Sequence, residues 1–264
     1  MRLYIWLLLA WCAGCAHATN HLDPTEPRMA GTGRAIPSSS APEQLRIVSF
    51  NLKHGEAVDQ ALALLRDTPG LAGADLIALQ EMDDVGVRRI AAGLGLHYVY
   101  YPAVTQSSGR YFGNALLSRW PIEQDGKLIL PARSVVHGSQ RIAVRGTLRV
   151  GPHRIRVYSV HLASLLDVWP PDQQRQWATV LEDADSTRLP IIIAGDINGE
   201  DPGGEAAHRD FVRLTAGTGA SHLRFSLDQI FVRGIEPIAG QAGRVLVPPE
   251  LSDHHAVWAL VRVP

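Results

Sequence analysis

The chain has 264 residues, is 46% hydrophobic and carries a formal net charge of −1. That is enough apolar material for a sizeable core, and the charge balance excludes a strongly basic surface that binds nucleic acid unselectively. The two cysteines, Cys12 and Cys15, lie close together near the start, which excludes a disulfide framework in the rest of the chain.

Met1-Arg2 and the apolar stretch Leu3–Ala10 read as an export signal, too short to span a bilayer as a mature helix. Cys12-Ala-Gly-Cys15 resembles a bacterial lipobox, which implies lipidation at Cys15, although Cys12 stands where that pattern usually has leucine. Ala16-His17-Ala18 offers an ordinary signal-peptidase site instead. Residues 1–18 are thus assigned to export, residues 19–43, rich in Pro, Ser, Gly, Thr and Ala, to a flexible tether, and residues 44–264 to one folded domain.

The folded region opens with a strand over Leu45–Asn51, a helix over Val58–Arg66 and a buried strand over Ala74–Gln80 that runs into Glu81. A helix over Val85–Leu94 is followed by an aromatic strand from His97 to Pro102. Gly109 to Ile122 reads as a further strand with a Trp-Pro turn, and Tyr111 and Asn114 at its start are candidate substrate contacts. Ile142–Val150 and His153–His161 form a hairpin around Gly151-Pro152. Helices are expected over Gln173–Ala184 and Glu205–Thr215. Between them lies Leu189-Pro-Ile-Ile-Ile-Ala-Gly-Asp-Ile-Asn198, an apolar strand closed by Asp196 and Asn198. Ser226–Val232 places Asp228 inside a strand pattern, where it needs a cation or a donor. Ser252-Asp253-His254-His255 introduces the last strand, Ala256–Val263. Polar groups therefore stand at strand ends from Asn51 to His254, as at a site where something binds.

The ordered set Ser-Phe-Asn51, Leu-Gln-Glu81, Gly113-Asn114-Ala-Leu-Leu-Ser-Arg-Trp-Pro-Ile122, Ser-Val-His161-Leu, Ala-Gly-Asp196-Ile-Asn198, Leu-Asp228-Gln-Ile-Phe and Ser252-Asp253-His254 resembles the endonuclease/exonuclease/phosphatase superfamily. The resemblance implies an α/β (α+β) fold, a four-layer sandwich of two packed, mixed, mostly antiparallel β-sheets flanked by helices. It also implies an oxygen-ligated divalent metal, Mg²⁺ with Mn²⁺ as the alternative, held by Glu81 with Asn51 beside it and Asp253 in the outer shell. The catalytic set it implies is His161, Asp196, Asn198, Asp228 and His254. Asp196 handles the attacking water, Asn198 donates to a phosphate oxygen, Asp228 keeps His254 cationic, and His161 contacts phosphate or assists the leaving group. Arg141 is a further candidate substrate contact. Two departures stand out: no acid is found near Arg141 to partner His161, and Lys53 occupies a position that is acidic in some members.

The expected activity is metal-dependent hydrolysis of a P–O bond, with a phosphodiester as substrate. Small phosphodiester, nucleic acid and phospholipid all remain open as substrate class, because a fold does not choose among them. An exported nuclease is the enzymatic alternative, and a catalytically silent surface protein that binds phosphate esters is the non-enzymatic one. The expected setting is a monomer, exported and lipid-anchored on the periplasmic side of a bacterial membrane, or secreted.

Overall fold

The computed structural model describes residues 18–34, 41–199, 201 and 204–264. Cys15 and the export segment up to residue 17 lie outside the described residues. Strands are β1 (Thr19–Asn20), β2 (Met29–Gly31), β3 (Gln44–Asn51), β4 (Leu76–Met82), β5 (His97–Thr105), β6 (Tyr111–Ser118) and β7 (Ile122–Arg133). They continue with β8 (Gln140–Val150), β9 (His153–His161), β10 (Ile191–Asp196), β11 (Val212–Arg213), β12 (Asp228–Arg233), β13 (Pro237–Val245) and β14 (Ala256–Arg262). Helices are α1 (Val58–Asp67), α2 (Asp84–Leu94), α3 (Pro170–Asp185) and α4 (Glu205–His208).

Among the described residues the strands form two sheets. One runs β1-β5-β6-β4-β3-β14-β13, with β2 also on β5, and the other runs β11-β12-β10-β9-β8-β7. Only β3 with β4 and β9 with β10 pair in parallel. Apolar residues on the facing sides of the two sheets interlock in one core that includes Ile47, Leu116, Val144, Val157, Ile192 and Ile230. The outer face of the first sheet packs on α1 and α2 through Phe50, Leu65, Ile77, Val87 and Ile90. The outer face of the second packs on α3 through Trp177, Val180, Tyr158 and Ile193. The result is the expected four-layer sandwich, which strands buried on both faces require.

Several expectations are corrected. The proposed tether is structured over residues 18–34: Thr19 pairs with Thr105 and Met29 with Tyr100 along the edge of β5, and Arg28 binds Asp125 at 2.6 Å. Edge pairing needs backbone groups more than apolar side chains, so a polar, Pro-rich composition conceals it. The helix expected over Glu205–Thr215 ends at His208, and the chain then forms the short β11. β7 and β13 have no counterpart in the sequence reading; both are irregular in pairing and mix buried with exposed positions, so neither shows a clean period of two.

Candidate active site

The two parallel pairs build the site. Parallel neighbours finish at the same end of a sheet, so β3 and β4 bring Asn51 and Gln80 side by side, and β9 and β10 put His161 opposite Asp196. Antiparallel β12 begins where β10 ends, which places Asp228 on the other side of Asp196. Gly195 permits this alignment, because a Cβ there would overlap the Val160 carbonyl.

Asp196 lies at the centre and is almost wholly buried. Its Oδ1 accepts the Asn198 backbone N–H at 3.0 Å, and its Oδ2 accepts Asn51 Nδ2 at 3.0 Å. The same Oδ2 stands 3.6 Å from His161 Nε2 and 3.8 Å from His254 Nε2. Burial and then the neighbouring Asp228 charge push its carboxyl up, against the opposing pull of His254, Asn51 and the Asn198 N–H.

His254 Nδ1 is 2.7 Å from Asp228 Oδ2. Burial disfavours its charged form, but the Asp228 carboxylate, aided by Asp196 and Asp253, outweighs that and raises the imidazole to about 10. Asp228 is itself set by Ser221, whose hydroxyl accepts the Leu227 and Asp228 N–H groups. Its Oδ1 is buried without a partner.

His161 is the opposite case. Burial, followed by the positive charges of Arg141, His254 and His54, lowers its pKa well below the usual histidine value. Arg141 Nη1 lies 3.3 Å from Nδ1, so an arginine rather than an acid flanks this nitrogen. Nδ1 accepts, and the neutral ring carries its proton on Nε2, facing Asp196 and Glu81.

Glu81 has left-handed backbone, φ 59°, inside an irregular stretch of β4. Such a conformation in a non-glycine residue is costly and is held only by its surroundings. Its carboxylate faces a groove of about 590 Å³ lined also by His54, Phe112, Arg141 and Asp167. Asn51 donates to it at 3.3 Å, and His54 Nε2 lies at 3.6 Å. Among the described residues no lysine or arginine forms an ion pair with it.

The sequence-predicted residues therefore divide. Asn51, Glu81, His161, Asp196, Asp228 and His254 meet in one cluster, with Arg141 at its border. Asn51 presents its NH₂ to both carboxylates while its Oδ1 accepts the Lys53 N–H, so it holds Glu81 and Asp196 in place. Asn198, at φ 52°, adjoins Asp196 and gives one amide N–H to the Leu162 carbonyl at 2.9 Å, leaving a second to donate. Asp253 is exposed and groups with His222 and His254. Tyr111 and Asn114, the other expected substrate contacts, do not line the groove. Tyr111 packs on the helix-facing side of its sheet, because alternation along β6 turns the next residue, Phe112, into the groove. Asn114 is buried and donates to the Ile142 and Ser159 carbonyls at 3.0 and 3.3 Å, joining the two sheets.

The sequence reading missed Phe112, Asp167, Ser221 and His222. His54 adjoins Asn51 in sequence, and that adjacency was its only signal.

Glu81, Asp196 and Asp228 thus gather in one cluster: Asp196 and Asp228 lie against His254, Glu81 lies 3.6 Å from His54 and 3.9 Å from His161, and Asp228 Oδ1 is orphaned. A divalent cation fits this deficit of positive charge, and the oxygen donors suit a hard ion. A four-layer sandwich with a carboxylate and histidine cluster at the strand ends defines the class. The chain belongs to the endonuclease/exonuclease/phosphatase family, whose sequence model matches residues 48–254. That family consists of metal-dependent phosphoesterases and nucleases.

Solved structures agree in fold. An endonuclease/exonuclease/phosphatase from Beutenbergia cavernae is 18% identical, with a TM-score of 0.69 over 84% of this chain and 72% of its own. D. rerio TDP2 complexed with single strand DNA product is 15% identical, with a TM-score of 0.66 over 84% of this chain and 100% of its own. A functionally unknown conserved protein from Enterococcus faecalis is 17% identical, with a TM-score of 0.66 over 83% of this chain and 100% of its own. No curated protein matches the chain in sequence.

Proposed function

We infer that the protein is a Mg²⁺-dependent phosphodiesterase, with Mn²⁺ as a substitute, acting as a monomer on the periplasmic side of a bacterial membrane and anchored there through Cys15. The observation that carries the catalytic reading is the placing of Asp196 Oδ2 among Asn51 Nδ2, His161 Nε2 and His254 Nε2 at 3.0, 3.6 and 3.8 Å. A water held by that carboxylate would lie beside two nitrogen donors that can bind phosphoryl oxygens.

Glu81 would hold the ion, with Asn51 orienting its carboxylate. A divalent ion bound there supplies positive charge against the phosphoryl oxygens. Asp196, its proton affinity raised by burial, takes a proton from the attacking water as the new P–O bond forms. His254, kept cationic by Asp228, binds a non-bridging oxygen, and the second N–H of Asn198 serves another. His161 donates from Nε2 while Arg141 fixes its tautomer. The ester P–O bond breaks on the far side, and the departing oxygen takes a proton from water in the groove.

The test is hydrolysis of bis-p-nitrophenyl phosphate, p-nitrophenyl phosphate, DNA, RNA and phospholipid by the purified protein, with Mg²⁺, Mn²⁺ or EDTA. EDTA-sensitive turnover that disappears in Asp196→Ala and His254→Ala supports the reading. A folded protein inert on every substrate would refute it and favour a binding role.

A further inference from the structure

The catalytic end of the sandwich has an apolar rim that hydrolysis does not use. The loop of residues 134–139, between β7 and β8, leaves Val135 73% and Val136 64% exposed. The loop of residues 162–169, between β9 and α3, leaves Leu166 88% and Trp169 72% exposed, with Leu165 beside them. The two loops are tied together. Val135 N–H donates to the Asp167 carbonyl at 2.9 Å, and Ser134 Oγ donates to Asp167 Oδ1 at 2.8 Å. The exposed side chains therefore share one platform rather than scattered sites.

That platform borders the groove, since His137, Arg141 and Asp167 line it together with Glu81. Across the carboxylate cluster the next turn exposes Leu223 and Phe225, beside His222, whose ring lies 4.5 Å from that of His254. Exposed apolar groups beside the groove and beside the His222–His254 pair gain nothing in water and mark a contact surface. Tryptophan at such a rim suits a boundary that is apolar on one side and wet on the other.

The entry of the chain says what covers this surface. Ala18 lines the same groove, and Asn20 is bonded both ways to the 134–139 loop, donating to the Gly138 carbonyl at 3.0 Å and accepting the Gln140 N–H at 2.7 Å. Ala18, three residues after Cys15 in the sequence, is thus where the chain enters the groove wall. An anchor on Cys15 would tether the protein from the side on which Ala18 enters the fold.

We propose that this rim docks on a lipid bilayer, so that the groove faces the membrane and takes a phosphodiester in a lipid headgroup. The proposal rests on the phosphodiesterase and Cys15-anchor reading above. Docking is through inserted apolar side chains, as the near-neutral charge of the chain offers little attraction to anionic lipid. No helix among the described residues is long and apolar enough to cross a membrane, so the contact is interfacial.

The experiment is amide hydrogen exchange on the full chain with and without vesicles of phosphatidylethanolamine and phosphatidylglycerol. Slower exchange in residues 134–137 and 164–169, unchanged by added salt, is the expected result. Attachment through the leading segment alone leaves those loops unprotected and overturns the proposal. So does self-association of the protein that hides the same loops without vesicles. A Val136→Asp/Leu166→Asp double variant lowers headgroup release from the vesicles about tenfold or more, as the loss of two buried apolar side chains requires. Hydrolysis of soluble bis-p-nitrophenyl phosphate stays at the wild-type rate. Equal headgroup release by both proteins, or none from an enzyme active on the soluble ester, would overturn the lipid substrate. Protection by vesicles in a protein inert on the soluble ester would instead refute the phosphodiesterase reading and leave the docking surface standing.

Discussion

Asp228 Oδ2 lies 2.7 Å from His254 Nδ1, and both side chains are buried at the junction of the two sheets. This pair raises the folded pKa of His254 to about 10, above its unfolded value. The stabilisation it gives is fully present below the ordinary histidine pKa and is lost as pH rises through about 10. Asp228→Asn removes the charge and returns the imidazole toward its ordinary range. The alkaline limb of kcat/KM is expected to move down by more than a pH unit, with a stability loss of about 3 kcal/mol in urea titrations. An unmoved alkaline limb would show that His254 is not the cation the reaction uses.

Asp196→Asn keeps the shape of the side chain and removes the base. Turnover is expected to fall by about 10²-fold or more, because a positioned general base contributes on that scale. Burial of Asp196 is costly in the wild type, so the variant should melt no lower than the parent. A variant with near-normal turnover excludes Asp196 as the base.

Glu81 provides a metal test that does not depend on turnover. Adding Mg²⁺ to the metal-free wild type is expected to raise Tm in a concentration-dependent way, by mass action on the folded state. Glu81→Gln should abolish that rise. Equal rises in both proteins would place the ion elsewhere.

Arg141 contacts His161 and lies over Phe112, its guanidinium carbon 5.5 Å from the ring centre. Asp167 pairs with it at 3.4 Å and is held ionised by Ser134 and Arg141 against the cost of burial. Arg141→Gln is expected to raise KM about tenfold, the scale of one lost charge-assisted hydrogen bond. In the same variant the His161 pKa should rise toward the ordinary value, since one of the charges opposing protonation is gone. NMR titration of the imidazole carbon-bound protons checks this, and an unchanged His161 resonance would count against the contact.

Asn114→Ala separates a sheet-joining role from substrate contact. Loss of its two hydrogen bonds leaves two buried carbonyls short of a partner and should cost about 2 kcal/mol of stability. KM should stay as it is, whereas a raised KM with unchanged stability would restore Asn114 as a substrate contact.

The apolar runs Leu76–Leu79 and Ile191–Ala194 announced strands buried on both faces, and the polar residues closing them announced a site. Those signals are local, because the core requires continuous apolar segments and a buried strand can carry charge only at its ends. Sequence position could not separate Tyr111 from Phe112: one step of the pleat decides which enters the groove. Nor could it reveal that Asn114 joins the sheets, since its partners are 28 and 45 residues away.

Local pattern was enough for the layered α/β class, the family resemblance and six residues of the central cluster, from Asn51 to His254. Tertiary structure alone decided their charge states. It set Asp228 against His254 and Arg141 against His161, so that two histidines of one site lie on opposite sides of neutrality. It also folded residues 18–34 onto β5, where the composition read as a tether, and gathered Val135, Val136, Leu166 and Trp169 into one rim. The physical reason is the same in each case. Periodicity and composition record what a residue does within its own strand or helix, whereas proton affinity, edge pairing and exposed patches depend on neighbours that only the packing of distant segments supplies.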